Sequence, residues 1–163
     1  MVSSEAMSIQ SNEASLRFSI SVDRAENLKD LFNSMNVIDP YVWYNFHDFG
    51  YYTTDKKRST VSPTFNDTQM YFIKANDESF AHYVQSENLA FVVFDHQQKD
   101  NHSHYLGLGI IQLSKYINLD RMKKGKPLNE SIQVPLTHPE NEDGSGVDKP
   151  VGTLYITLKG EYT

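Results

Sequence analysis

Two carboxylates stand where the chain leaves or enters apolar runs: Asp39 just ahead of Pro40-Tyr41-Val42, and Asp95 just behind Phe91-Val92-Val93-Phe94. Loop carboxylates of this kind are the chemistry of a hard divalent cation such as calcium, which takes about six to eight oxygen ligands. The second segment continues through His96, Gln97, Asp100, His102 and His104, and imidazole mixed with carboxylate also suits zinc or nickel. The histidine spacing fits no coordination pattern with a mechanical reason, so solvated loop histidines are the simpler reading. Asp39 has an equally simple account as an Asx-type turn before proline. Asp95 has one too, as a side chain that hydrogen-bonds the backbone of its own loop.

Cations gather in two places, Lys56-Lys57-Arg58 and the segment holding Lys123, Lys124 and Lys126. Near an anionic leaflet each such residue is worth on the order of 1 kcal/mol. Contact with acidic phospholipid is therefore weak unless both segments share a face, and charge on a strand edge also serves to discourage edge pairing. A third cluster is aromatic: Tyr41, Trp43, Tyr44, Phe46, Phe49, Tyr51 and Tyr52. With large side chains at both parities, this strand is either central in a sheet or turns one face to a partner, and Tyr44, Phe46, Phe49, Tyr51 and Tyr52 are the partner-binding candidates. No Gly-x-Ser-x-Gly, His-Glu-x-x-His or phosphate-cradling glycine loop occurs, so neither catalysis nor a cofactor is expected.

These residues need a scaffold, and alternation supplies its first strand: Leu16, Phe18, Ile20 and Val22 interleave with Arg17, Ser19, Ser21 and Asp23. A period of two puts one face in a core and the other in water. Further short strands are expected over 41–49, 70–73, 89–94, 106–113 and 151–158, rich in β-branched and aromatic residues. One helix is expected over 78–87, where Phe80, Tyr83 and Val84 share a face behind Asn76 or Asp77 as cap. Residues 114–126 read as a solvated crossing with room for a helical turn and 138–150 as a mobile loop, each from its polar or glycine-bearing composition. Such strands separated by turns predict an all-β sandwich.

At 163 residues, with 39% hydrophobic content, the chain fits one domain. Residues 1–13 read as a polar disordered lead and 14–163 as the domain, without a basic-then-apolar export signal. The absence of cysteine excludes disulfides and thiol chemistry and suits a reducing cytosol. A net charge of −6 argues against nucleic acid as partner.

In order and spacing these segments resemble the C2 domain: an alternating strand ending in Ala25-Glu26-Asn27-Leu28, then Asp39-Pro40-Tyr41-Val42. A Ser62-Pro63-Thr64-Phe65-Asn66-Asp67 turn follows, then Phe91 to Asp95 running on to Tyr105-Leu106-Gly107. The resemblance implies an eight-stranded antiparallel C2 sandwich. It implies the circularly permuted (type II) topology, because the corner strand leads and 151–158 closes. It places the family's calcium-ligand positions on Asn33, Asp39, Asp95, Gln97 and His104. Three of these five have lost the carboxylate, so calcium-independent function with a vestigial site is expected. Within the family, the run Pro40 to Phe49 resembles the retinitis pigmentosa GTPase regulator-interacting protein / fantom scaffolds. That implies a non-catalytic interaction module, a nephrocystin-type protein partner and a site at the ciliary base or transition zone. Peripheral attachment to an acidic membrane is the alternative.

Overall fold

The computed structural model describes residues 15–31, 37–97, 105–142 and 148–163. They form eight strands: β1 (Ser15–Glu26), β2 (Pro40–Asn45), β3 (Tyr51–Thr53), β4 (Thr64–Lys74), β5 (Asn88–Asp95), β6 (Gly107–Gln112), β7 (Leu128–Glu142) and β8 (Asp148–Tyr162). All pairings are antiparallel, in the order β3-β2-β5-β6-β7-β8-β1-β4. A single residue pair, Leu108 with Thr137, joins β6 to β7. There the sheet folds over, and β3-β2-β5-β6 becomes one layer facing β7-β8-β1-β4. The last strand lies alongside the first, as the permuted topology requires.

Between the layers sits one continuous apolar core. Its centre is aromatic: Phe46, just past β2, stacks on Phe18 of β1 at 5.2 Å between ring centroids and lies 4.8 Å from Tyr71 of β4. The β1 alternation ends at Val22 for a local reason. Against β8, Val22 pairs Ile156 while Arg24 pairs Tyr155, so Asp23 is an extra residue on β1. This bulge shifts the phase by one, and Ala25 rather than Arg24 turns inward. A second bulge lies opposite, on β4, where Asn66 adopts φ 46°.

Helix α1 (Glu78–Ser86) starts at Asp77, whose carboxylate accepts from the Phe80 N–H, and it buries Phe80 and Val84 against the core. Residues 114–126, expected as a solvated crossing with room for a helical turn, hold more helix than that, in two short pieces, α2 (Leu113–Tyr116) and α3 (Leu119–Lys123). The reason is apolar: Leu113, Ile117 and Met122 are buried. Of the segment 138–150, expected as a loop, 138–142 and 148–150 are instead strand, and beyond an irregularity after Thr137 the β7-β8 pair reaches Glu142 opposite Asp148, while 143–147 lie outside the described residues. Likewise Thr64 to Asp67, read as a turn, belongs to β4. No described helix is long and apolar enough to cross a membrane.

Glycine fixes how closely β6 approaches β7. A Cβ on Gly109 would stand 2.5 Å from Val134 Cγ1 and 3.2 Å from Leu136 Cδ2. Gly109→Ala is therefore expected to destabilise the fold by about 1–3 kcal/mol through overpacking. Denaturant unfolding checks this, and an unchanged midpoint would refute it.

Candidate binding surfaces

Asp39 and Asp95 come together at one end of the sandwich, where β2 begins beside the end of β5. Asp95 is 4% exposed, and its Oδ1 accepts from the backbone N–H of Asp39 at 2.9 Å and of Gln97 at 3.0 Å. This is the backbone-bracing role expected of it. Asp39 differs from expectation. Its Oδ1 accepts across the loop from the Ser59 N–H at 2.8 Å rather than closing a local Asx turn. That bond holds the Asp39 carboxyl below the usual carboxylate range, against the opposing effect of burial and with help from the Gln97 side chain. Asn33 and His104, with Asp100 and His102, lie outside the described residues, as do residues 1–13. Among the described residues no group of three or more acidic or histidine side chains is placed to hold a metal.

The basic segments do not combine. Lys56, Lys57 and Arg58 lie after β3 in irregular chain rather than in a basic strand. They are tied to the Asp39 end: the Lys57 N–H donates to the Pro40 carbonyl, and Lys56 Nζ lies 2.9 Å from His96 Nε2. At that end Leu28, just past β1, bonds to Val61, and Thr60 bonds to Ile38. Lys123, by contrast, sits 5.8 Å from the ring centroid of Tyr162, which pairs with Leu16 at the start of β1. Lys124 and Lys126 follow on the turn after α3. Nearly the whole length of β1 separates the two levels, about 30 Å at strand rise. The two groups therefore occupy opposite ends of the sandwich, and the six-cation surface weighed from sequence does not form.

The aromatic candidates divide by parity. Tyr44 and Phe46 are fully buried, which removes them as partner contacts, because Val42, Tyr44 and Phe46 form the core side of the strand and its exit. Tyr52 is half-buried, opposite Tyr44, and its hydroxyl donates to Asp67 Oδ2 at 2.7 Å. Phe49 and Tyr51 are exposed, at 46% and 72%. Tyr51 stacks on Trp43 and Phe49 on Phe46.

What sequence reasoning missed is the rest of the face to which Tyr51 belongs. On the outer side of the first layer, Trp43 lies opposite Val92, Val92 opposite Leu108, Tyr41 opposite Phe94 and Ala90 opposite Ile110. Tyr41 and Phe94 stack at 5.6 Å. Ile110 is 55% exposed, and Tyr41, Trp43, Val92, Phe94 and Leu108 are half-buried. The remaining outward positions of these four strands are Asn45, Thr53, Asn88 and Gln112. None carries Asp, Glu, Lys or Arg. The opposite layer differs, since Arg17, Lys159 and Glu161 share its outer face with Met70 and Phe72.

The tyrosines on the inner side make a pH prediction. Burial first, and the bond to Asp67 second, push Tyr52 up to about 12. Burial likewise raises Tyr44. A group whose pKa rises on folding contributes stability that is whole below its unfolded value and is lost as pH climbs through the folded one. Stability is thus expected to fall from about pH 10 toward pH 12. The tyrosinate absorbance of these two residues should appear together with loss of the β-sheet signal, and their ionisation in a chain still folded would refute the assignment.

A model of the C2 domain family matches residues 16–133. No curated protein matches the chain by sequence. Among solved structures, a C2 domain of a plant extended synaptotagmin 1 is similar at a TM-score of 0.60 and 18% identity, covering 90% of this chain and 93% of that one. A structure described as CC2D1B coordinating ESCRT-III activity in nuclear-envelope reformation gives 0.61 and 16%, over 88% of this chain and 54% of that one. Human GIVD cytosolic phospholipase A2 gives 0.59 and 16%, over 93% of this chain and 17% of that one. Identities this low speak to fold alone.

Proposed function

This chain belongs to the C2 domain family, whose members bind proteins or membranes, and from that premise we propose that it is a non-catalytic, calcium-independent module that binds a protein partner. The carrying observation is the uncharged outer face of β3-β2-β5-β6, with Trp43, Tyr51 and Ile110 on it. Aromatic residues on a contiguous apolar surface are the typical anchors of protein interfaces. The membrane reading has less support, because three cations at one end of a domain of net charge −6 give weak attraction to acidic lipid. The engagement of Asp39 and Asp95 with backbone N–H groups supports calcium independence. The narrower likeness to fantom-type scaffolds, carried by Pro40 to Phe49, proposes a nephrocystin-type protein at the ciliary base as the partner.

The test is capture of a purified nephrocystin-type protein, run in parallel with co-sedimentation on vesicles containing acidic phospholipid. Capture should be equal in calcium and in chelator. It should weaken about tenfold or more in Tyr51→Ala with Ile110→Ala, and by a smaller factor in Lys56→Glu with Lys57→Glu. Thermal melts in millimolar calcium and in chelator should superimpose, whereas a bound ligand at 100 times its Kd would add about 2.7 kcal/mol. Tight vesicle binding at physiological salt, abolished by the lysine substitutions, would establish the membrane reading instead.

A further inference from the structure

A sheet face and a sheet edge recognise different things. An edge offers unpaired N–H and C=O groups and captures extended peptide, whereas over a face every backbone group of the sheet is already engaged in its ladders. An occupant lying flat on the outer face of β3-β2-β5-β6 finds no backbone partner there, because the N–H and C=O groups of β2, β5 and β6 lie in the plane of the sheet, directed at neighbouring strands rather than outward. Extended peptide in that position would bury its own N–H and C=O groups unsatisfied. A helix satisfies them internally.

Size separates a helix from a second copy of this chain. Four strands about 4.8 Å apart, with outward residues spanning about 13 Å from Tyr41 to Asn45, present a patch on the order of 250 Å². A stable dimer buries about 800 Å² per partner. The same 13 Å is matched by about nine residues of helix, enough for anchors at i, i+4 and i+7. Charge adds a direction. The outward positions of the four strands hold no ionised group, and at the Tyr41 end the face is flanked by exposed Lys56 beside His96, which packs edge-on against Tyr41. Asp55 stands next in sequence, but it is Lys56 that contacts His96 across the loop and is held at this end.

We propose that this face receives a short amphipathic helix of a partner protein, its apolar stripe laid along β2 and β5 over Tyr41, Trp43 and Val92 and a carboxylate beyond the Tyr41 end of the stripe meeting Lys56. This rests on the protein-binding reading and adds the form and chemistry of what is bound. Trp43 is the only tryptophan in the chain and stands at the middle of the face, so the unmodified protein reports occupancy by its own fluorescence.

The experiment selects a phage-displayed library of random 16-residue peptides on the immobilised domain. Survivors are then synthesised and titrated against Trp43 fluorescence and circular dichroism. Expected are sequences with apolar residues at helical spacing and an acid beyond one end. They should gain helicity on binding, shift the Trp43 emission and lose at least tenfold in affinity to Tyr51→Glu with Ile110→Glu. Lys56→Glu should weaken them severalfold, with recovery when the peptide acid is changed to lysine. Survivors of period two that shift Trp43 without gaining helicity would overturn the helix and leave the protein-binding face standing. Survivors that leave Trp43 and both glutamate substitutions without effect would overturn the face itself. If the double glutamate variant fails to fold, the Trp43 shift in the unmodified chain decides alone. A dimer dissolved by Ile110→Glu, with no peptide retained, would show the face to be a self-contact and refute the proposal.

Discussion

Phe46→Ala lowers the unfolding free energy by about 3–5 kcal/mol, the cost of a phenyl-sized cavity in a core that relaxes only in part. The position is chosen by connectivity. Phe46 touches the rings of Phe18, Phe49, Tyr71, Phe80 and Tyr83, and so joins β1, β4, α1 and the exit of β2 in one cluster. At about 2–4 °C per kcal/mol for a domain of this size, the melting temperature should drop by about 10 °C or more. Phe49→Ala, at the exposed rim of the same cluster, should cost far less. Equal effects at the two sites would mean that the inward assignment of Phe46 is wrong.

The second large effect is expected at Asp95. Replacement by alanine leaves the N–H groups of Asp39 and Gln97 without their acceptor beneath a side chain that is 4% exposed. Both bonds are part-buried, so water offsets some of the usual cost of about 1–3 kcal/mol per unsatisfied donor, and Asp95→Ala should destabilise by about 1–3 kcal/mol. Asp95→Asn keeps the acceptor oxygen and loses the charge, so about 1 kcal/mol of destabilisation is expected. The sign of that smaller change is decisive. Carboxylates gathered for a cation repel one another when it is absent, and neutralising one then stabilises the free protein. A gain in stability for Asp95→Asn, measured by denaturant unfolding without calcium, would return the pair to metal chemistry.

Strand content was legible in the residues because alternation and turn chemistry are local, whereas the order of the strands rested on the resemblance to the C2 family. Leu16 to Val22 could be read directly, and the reading stopped where the bulge at Asp23 resets the phase. The aromatic strand could not be oriented in this way. Tyr41 and Trp43 are as large as Tyr44 and Phe46, so composition does not say which parity faces inward. Register with Phe91 and Val93 on β5 decides it. The uncharged face was illegible for a related reason: Val92, Phe94, Leu108 and Ile110 lie far from Trp43 in sequence, in apolar runs that read as strands covered on both sides. Nor does a linear sequence show that Lys56 and Lys123 stand at opposite ends of a sandwich. That depends on the direction in which β1 runs between them.

The place of β8 has a consequence for how the protein is made. Although β8 is the last strand in sequence, it lies between β7 and β1, so it is the bridge of its layer rather than an edge. Before residues 148–162 emerge from the ribosome, β1 can already pair with β4, and the strands β2, β5 and β6 can assemble. The strand β7, however, has no partner in its own layer. The inner faces of Ile132, Val134 and Leu136 stay wet until Leu154, Ile156 and Leu158 emerge and are threaded alongside β1. Completion of the fold is thereby deferred until β8 has emerged, and until then the nascent chain presents an unfilled slot to the chaperones around it.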